Sequence, residues 1–182
     1  MRRHLIHVAL AVLVLAGGLV INHAERHETT TRPFVVTGRV GDRVPVWPGG
    51  VVVHGARAGK VADDGYGGEV RTQGVWVAVD VSFAGGDQPG PLAELRLVDA
   101  EGRTYDATDR LDHGFLGEPQ PASPVRAEVV FEVPEDALGR LTVVADPLYQ
   151  GKLGQRAHVD VVVDEVEPAV LLPARAVLEE PW

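Results

Sequence analysis

The sequence predicts an all-β fold, an antiparallel two-sheet sandwich that is preceded by one N-terminal transmembrane helix. Residues 5–21 form an apolar run without a charged side chain, and residues 34–164 contain about eight short β-branched segments separated by Gly, Pro and Asp. No stretch between residues 34 and 164 keeps a helical apolar period beyond about two turns. Short strands at this spacing are typical of a sandwich, with a small barrel as the alternative.

Residues 1–24 are predicted to be a signal anchor. The uncharged run of 17 residues reaches the short end of the length that crosses about 30 Å of hydrocarbon as a helix. Arg2 and Arg3 precede the run while Glu25 and Glu28 follow it, so the positive-inside rule places the remainder of the chain outside the cytoplasm. The alternative is a secreted domain released by signal cleavage, although Asn22 stands where a cleavage site prefers a small residue.

Three segments follow the predicted anchor. Residues 25–33 are polar and end in proline, which is typical of a tether. Residues 34–164 are the predicted sandwich. Residues 165–182 form a tail whose prolines exclude a long helix but whose apolar residues are too many for a solvated segment. We predict that this tail packs along the sandwich, with docking on a partner or disorder as the alternatives.

The clearest predicted strand covers residues 75–83, where apolar and smaller or polar side chains alternate. Alternate residues of a strand point to opposite faces of its sheet. The core-facing set is Val75, Val77, Val79, Val81 and Phe83, and the set predicted to face water is Ala78, Asp80 and Ser82. Trp76 lies near the start of the second face, where it is expected to cover a sheet edge or the tether.

Two further segments carry a family resemblance. Residues 95–105 read L-R-L-V-D-A-E-G-R-T-Y, and residues 129–134 read V-V-F-E-V-P. They match the recurrent L-V-D-x-x-G-x-x-Y and V-F-x-V-P patterns, so residues 35–163 resemble a bacterial telokin-like family of exported domains. The resemblance implies an immunoglobulin-like β-sandwich and export, and it supplies no catalytic residue. Many members are lipoproteins, whereas this chain has no cysteine.

The amino-acid composition excludes or argues against several classes of function. The formal net charge is −9, which argues against a nucleic-acid partner because phosphate backbones are bound by clustered cations. The absence of cysteine excludes a disulfide framework, a thiolate zinc site and a cysteine nucleophile. Ser82 and Ser123 are the only serines, and neither lies in a Gly-x-Ser-x-Gly nucleophile elbow.

Metal-binding patterns are weak as well. Asp106, Asp109 and Asp112 precede His113 in the densest acidic cluster, but their spacing does not fit an EF-hand loop. A metal-dependent hydrolase that uses these four residues is the weakest hypothesis. The remaining candidate ligands, His54 and His158, lie on separate predicted elements. We therefore expect a protein that is not an enzyme and that holds no metal and no cofactor.

Loop aromatics are the remaining candidates for a binding surface. Trp47, Tyr66 and Phe115 lie in predicted loops, where an aromatic side chain offers contact area to a protein or glycan partner. The predicted function is a membrane-anchored, extracytoplasmic, non-enzymatic binding or scaffolding module of the bacterial cell envelope. The alternative is an accessory subunit of a membrane protein complex, recognised through its anchor and its C-terminal tail. Either function implies an envelope or membrane protein as the partner.

Overall fold

The computed structural model describes residues 14, 34–87, 89, 94–111, 119–146, 154–168, 171 and 173–181. The chain divides into two compact units, residues 1–32 and residues 33–182. In the first unit only Val14 is described, in helical conformation. The predicted anchor, apart from Val14, and the predicted tether thus lie outside the described residues. Within the described part of the chain, no helix is long and apolar enough to cross a membrane.

The second unit is all-β. Its described strands are β1 (Phe34–Gly38), β2 (Arg43–Val46), β3 (Gly49–Asp63), β4 (Glu69–Ala84), β5 (Glu94–Val98), β6 (Thr104–Asp106), β7 (Val125–Val133), β8 (Gly139–Asp146), β9 (Gln155–Val163), β10 (Val166–Glu167) and β11 (Val177–Leu178). One turn of 3₁₀ helix, Glu135–Ala137, precedes β8.

The strands form two sheets. Sheet A has the order β1-β9-β8-β5-β6, and sheet B has the order β10-β3-β4-β7-β11 with β2 also paired to β3. All pairs are antiparallel except β1 with β9 and β10 with β3. One buried cluster contains apolar side chains from both sheets, from Val77 and Phe131 of sheet B to Leu97 and Val159 of sheet A. The two sheets therefore share a core, as in a sandwich.

The alternation in β4 is confirmed for the core-facing set, because all five of its members are fully buried: Val75, Val77, Val79, Val81 and Phe83. The prediction for the opposite face is wrong for Ala78 and Ser82, which are also fully buried, as is Trp76. A second cluster of buried apolar residues covers this outer face of sheet B, and it includes Leu171 from the tail.

The tail crosses sheet B, and we call residues 166–179 the C-terminal strap. β10 pairs with β3, and the backbone N–H of Leu171 donates to the carbonyl of Val61 in the same strand at 2.8 Å. Three residues later, Ala174 is hydrogen-bonded to Glu128 of β7, which β11 also joins. Between these two contacts, Leu171 packs in one buried cluster with Trp76 and Ala78 of β4. The strap thus contacts β3, β4 and β7.

The β3–β4 hairpin is much longer than predicted. The sequence indicated only residues 51–53 and 75–83 as strands, whereas the hairpin spans Gly49–Ala84 with a short tip. Two register shifts, between Val53 and Gly55 and between Gly59 and Val61, interrupt the alternation of β3. A bulge adds a residue to one strand and reverses which side chains face the core, so the period-2 signal is lost there.

The L-V-D-x-x-G-x-x-Y segment forms the β5–β6 hairpin around a buried carboxylate. Asp99 accepts hydrogen bonds from the backbone N–H of Glu101 (3.0 Å) and Arg103 (2.8 Å), from Arg103 Nε (2.5 Å) and from the Tyr105 hydroxyl (2.8 Å). Burial alone raises the pKa of Asp99, but the hydrogen bonds from Tyr105 and Arg103 outweigh it and lower the pKa to about 2. Gly102 supplies the positive φ of 82° that the turn requires.

Candidate functional site

The aromatic candidates do not lie together. Tyr66 lies at the tip of the β3–β4 hairpin with 82% of its surface exposed, and Trp47 lies in the β2–β3 turn with 36% exposed. Trp47 follows β2 at the start of β3, whereas the Tyr66 turn follows the end of β3 and contacts Arg175, which lies beside Asp80 and Arg126 on the outer face of sheet B. Trp47 and Tyr66 therefore belong to separate turns. Phe115 lies outside the described residues.

The loop that carries Tyr66, which we call the Tyr66 tip (residues 63–69), is held by its own aspartates. Asp63 Oδ1 accepts the backbone N–H of Gly65 at 2.7 Å, and Asp64 Oδ1 accepts those of Tyr66 and Gly68 at 2.8 Å each. The hydrogen bonds from Gly68 and Tyr66 lower the pKa of Asp64. Such side-chain-to-backbone bonds fix the turn, so Tyr66 projects from a loop with a defined backbone.

The C-terminal strap braces the Tyr66 tip from one side. Arg175 Nη2 donates to the carbonyl of Gly65 at 2.5 Å. The backbone N–H of Asp63 donates to the carbonyl of Leu171 at 2.8 Å. Two residues of the strap thus contact the first half of the turn. Because these contacts join distant parts of the sequence, no local pattern indicated them.

Exposed apolar side chains at the start of β1 accompany Trp47. Phe34 is 63% exposed and Val35 is 54% exposed, both at the start of β1. A turn closed by the N–H of Asp42 on the carbonyl of Arg39 reverses the chain between β1 and β2. The start of β1 therefore lies at the same end as the residue that follows β2, and we call Phe34, Val35 and Trp47 the Trp47 end. Sequence reasoning missed Phe34 and Val35, although the three consecutive apolar residues 34–36 break the alternation expected of a half-buried strand.

Ser82 and His54 lie together beneath the strap, but the hydrogen bond between them runs in the opposite direction to that of a Ser-His nucleophile. The Ser82 hydroxyl donates to Glu179 Oε2 at 2.5 Å, and His54 Nε2 lies 2.6 Å from the same Oγ. A hydroxyl has one proton, so Oγ accepts from the imidazole instead of donating to it. In a Ser-His nucleophile the imidazole is the acceptor. Ser82 is also fully buried, which closes it to a substrate.

Two arginine–carboxylate pairs flank this site on the outer face of sheet B. Arg126 binds Asp80 through Nε (2.8 Å) and Nη2 (2.6 Å), and Arg57 binds Glu128 through Nε (2.9 Å) and Nη2 (2.8 Å). The hydrogen bonds to these carboxylates raise the pKa of both guanidinium groups. The strap leaves a depression of about 480 Å³ between the pairs. Each arginine also donates to a carboxylate of the strap, Arg57 to Glu167 and Arg126 to Glu179 at 3.3 Å each, so these side chains join the strap to the sheet.

The proposed metal-dependent cluster is described only in part. Asp106 ends β6 and Asp109 lies in the loop that follows, whereas Asp112 and His113 lie outside the described residues. No group of three or more His, Asp and Glu side chains in the described ranges is gathered as metal ligands would be. His158 is half-buried on sheet A, and burial, with the charge of Arg156, lowers its pKa. His54 contacts Ser82 instead of an acidic cluster.

Comparison of the chain with known protein families, with curated proteins and with solved structures finds no match in any of the three.

Proposed function

We propose that this protein is a membrane-anchored, extracytoplasmic binding or scaffolding module without enzymatic activity, and that the Tyr66 tip is its recognition element. The observation that carries the proposal is the exposed Tyr66 on a turn that two aspartates and the strap hold in place. Aromatic side chains on pre-organised loops bind partners at a low entropic cost, and Tyr is common among the residues that dominate interface energies.

We also propose that the sandwich is immunoglobulin-like, as the resemblance to exported telokin-like domains implies. The pairing β3-β4-β7 corresponds to the first three strands of one immunoglobulin sheet, and β9-β8-β5 corresponds to the other sheet. The parallel pairing of β1 with β9 adds a strand at the edge of that second sheet.

A site-specific photocrosslinking experiment in native membranes tests the recognition element. A photoreactive side chain replaces Tyr66 in one variant and Val162 in the control, because Val162 is also well exposed (63%) but lies on the outer face of sheet A. We expect a defined crosslinked product from position 66 that position 162 does not give. Equal labelling at both positions, or none at position 66, would contradict the proposal.

An anchor exchange separates the proposal from its alternative, an accessory subunit recognised through anchor and tail. Residues 1–24 are replaced by an unrelated membrane anchor in the variant that carries the photoreactive group at position 66. Recognition through the Tyr66 tip predicts an unchanged crosslink. Loss of the crosslink with normal membrane insertion would favour the accessory-subunit function.

A further inference from the structure

We propose that the Trp47 end rests against the surface of a lipid bilayer, with Phe34, Val35 and Trp47 in contact with the headgroup and upper acyl region. This inference rests on the proposed anchoring and adds a second contact between the protein and the membrane. It concerns the start of β1 and the β2–β3 turn, and not the Tyr66 tip.

The side chains at this end have the chemistry that a bilayer surface selects. Phe34, Val35 and Trp47 are 63%, 54% and 36% exposed, so an aromatic ring, an aliphatic side chain and an indole share one end of the sandwich. Tryptophan and other amphipathic aromatics concentrate at the membrane–water boundary, where one part of the ring is apolar and another reaches water.

The length of the preceding chain selects the bilayer over other occupants. Nine residues, 25–33, separate the predicted anchor from Phe34, and even fully extended they span only about 30 Å. An anchor in the bilayer therefore limits the start of β1 to about that distance from the end of the anchor. A bilayer is thus present at this end at high effective concentration, which a free partner is not.

Charge determines which lipid is expected. The net charge of −9 gives no attraction to anionic headgroups, so apolar contact with a zwitterionic surface is the expected mode. Contact of this kind is insensitive to ionic strength, whereas binding through a basic patch weakens with added salt.

Fluorescence quenching in vesicles tests the contact. The full-length chain is reconstituted in phosphatidylcholine vesicles whose acyl chains carry bromine near the headgroup. The Trp182→Phe variant keeps Trp47 and the fully buried Trp76, and the matched control Trp47→Phe/Trp182→Phe keeps Trp76 alone. The difference in emission between the two variants is the emission of Trp47. We expect the bromolipid to quench a large part of this Trp47 emission. Unchanged Trp76 emission in the control verifies that the domain is folded.

The outcomes separate the contact from the anchoring on which it rests. Flotation of the vesicles reports anchoring, and quenching reports the Trp47 end. Protein that floats with the vesicles but shows unquenched Trp47 emission overturns the bilayer contact and leaves the anchor in place. If that emission is also shielded from aqueous acrylamide, the occupant is a protein, such as a second copy, and the contact is overturned. Protein that does not float overturns both proposals.

Discussion

Replacing Leu171 by alanine tests whether the C-terminal strap is an integral part of the sandwich. Leu171 is fully buried against Ala62, Trp76, Ala78 and other residues of the outer face of sheet B. The substitution removes three carbon atoms, which at about 0.8 kcal/mol per buried methylene gives about 2.4 kcal/mol. The residual cavity adds to this loss, so we expect a decrease of about 3 kcal/mol in the free energy of unfolding.

The measurement is thermal unfolding of the full-length chain, followed by the emission of the buried Trp76 and by near-UV circular dichroism. For a domain of this size, about 3 kcal/mol corresponds to a decrease of roughly 6–12 °C in Tm. Leu178→Ala is the matched control, because Leu178 belongs to the same strap but is 76% exposed. We expect a change within about 0.5 kcal/mol for the control. Equal, small decreases in both variants would refute the assignment of Leu171 to the core.

Two further substitutions test single contacts. The Asp99→Asn variant tests the β5–β6 hairpin. Folding lowers the pKa of Asp99 from its ordinary value of 3.8 to about 2. The carboxylate therefore stabilises the fold above pH 3.8, and this contribution is lost as the pH falls towards 2. In acid unfolding curves the stability difference between wild type and Asp99→Asn should shrink through that window, and a constant difference would contradict the role of the carboxylate. Gly59→Ala tests the approach of the strap to β3, since a Cβ at Gly59 would lie 2.6 Å from Leu171 Cγ, whereas a Cβ at Gly55 would meet nothing within 4 Å. Denaturant unfolding should show a loss of about 1–3 kcal/mol for Gly59→Ala and a much smaller change for Gly55→Ala; equal effects would mean that the strap does not approach β3 closely.

Local patterns were sufficient for the strands with one regular buried face. The alternation in residues 75–83 predicted the core-facing residues of that part of β4, because one face of the strand packs in the shared core and its period of 2 survives there. β3 was underpredicted because bulges near Gly55 and Gly59 shift its register. The Asp99 hairpin was predictable from its turn residues, since the aspartate and Gly102 satisfy the turn within a few residues of sequence.

The candidate site was predictable only residue by residue. Tyr66 in a glycine- and aspartate-rich turn is a local signal, and it predicted an exposed aromatic tip. The full extent of β3, which this turn follows, was not revealed by the sequence pattern. The support of the tip by Arg175 joins residues more than a hundred positions apart, and no periodicity encodes such a contact.

The sequence by itself determined the β-rich class, the core-facing residues of the central strands and the turn chemistry, because propensity and alternation act between near neighbours. Only the tertiary structure decided whether the outer face of sheet B is buried or exposed to water. The predicted polar face of β4 became a second core because Leu171 and Glu179 of the strap cover it, so that Ala78 is buried and the Ser82 hydroxyl is used as a donor to a carboxylate. The path of the whole chain decides whether a side chain that points away from the core meets water or a distant segment. That path minimises exposed apolar surface and unpaired sheet edges over the entire domain.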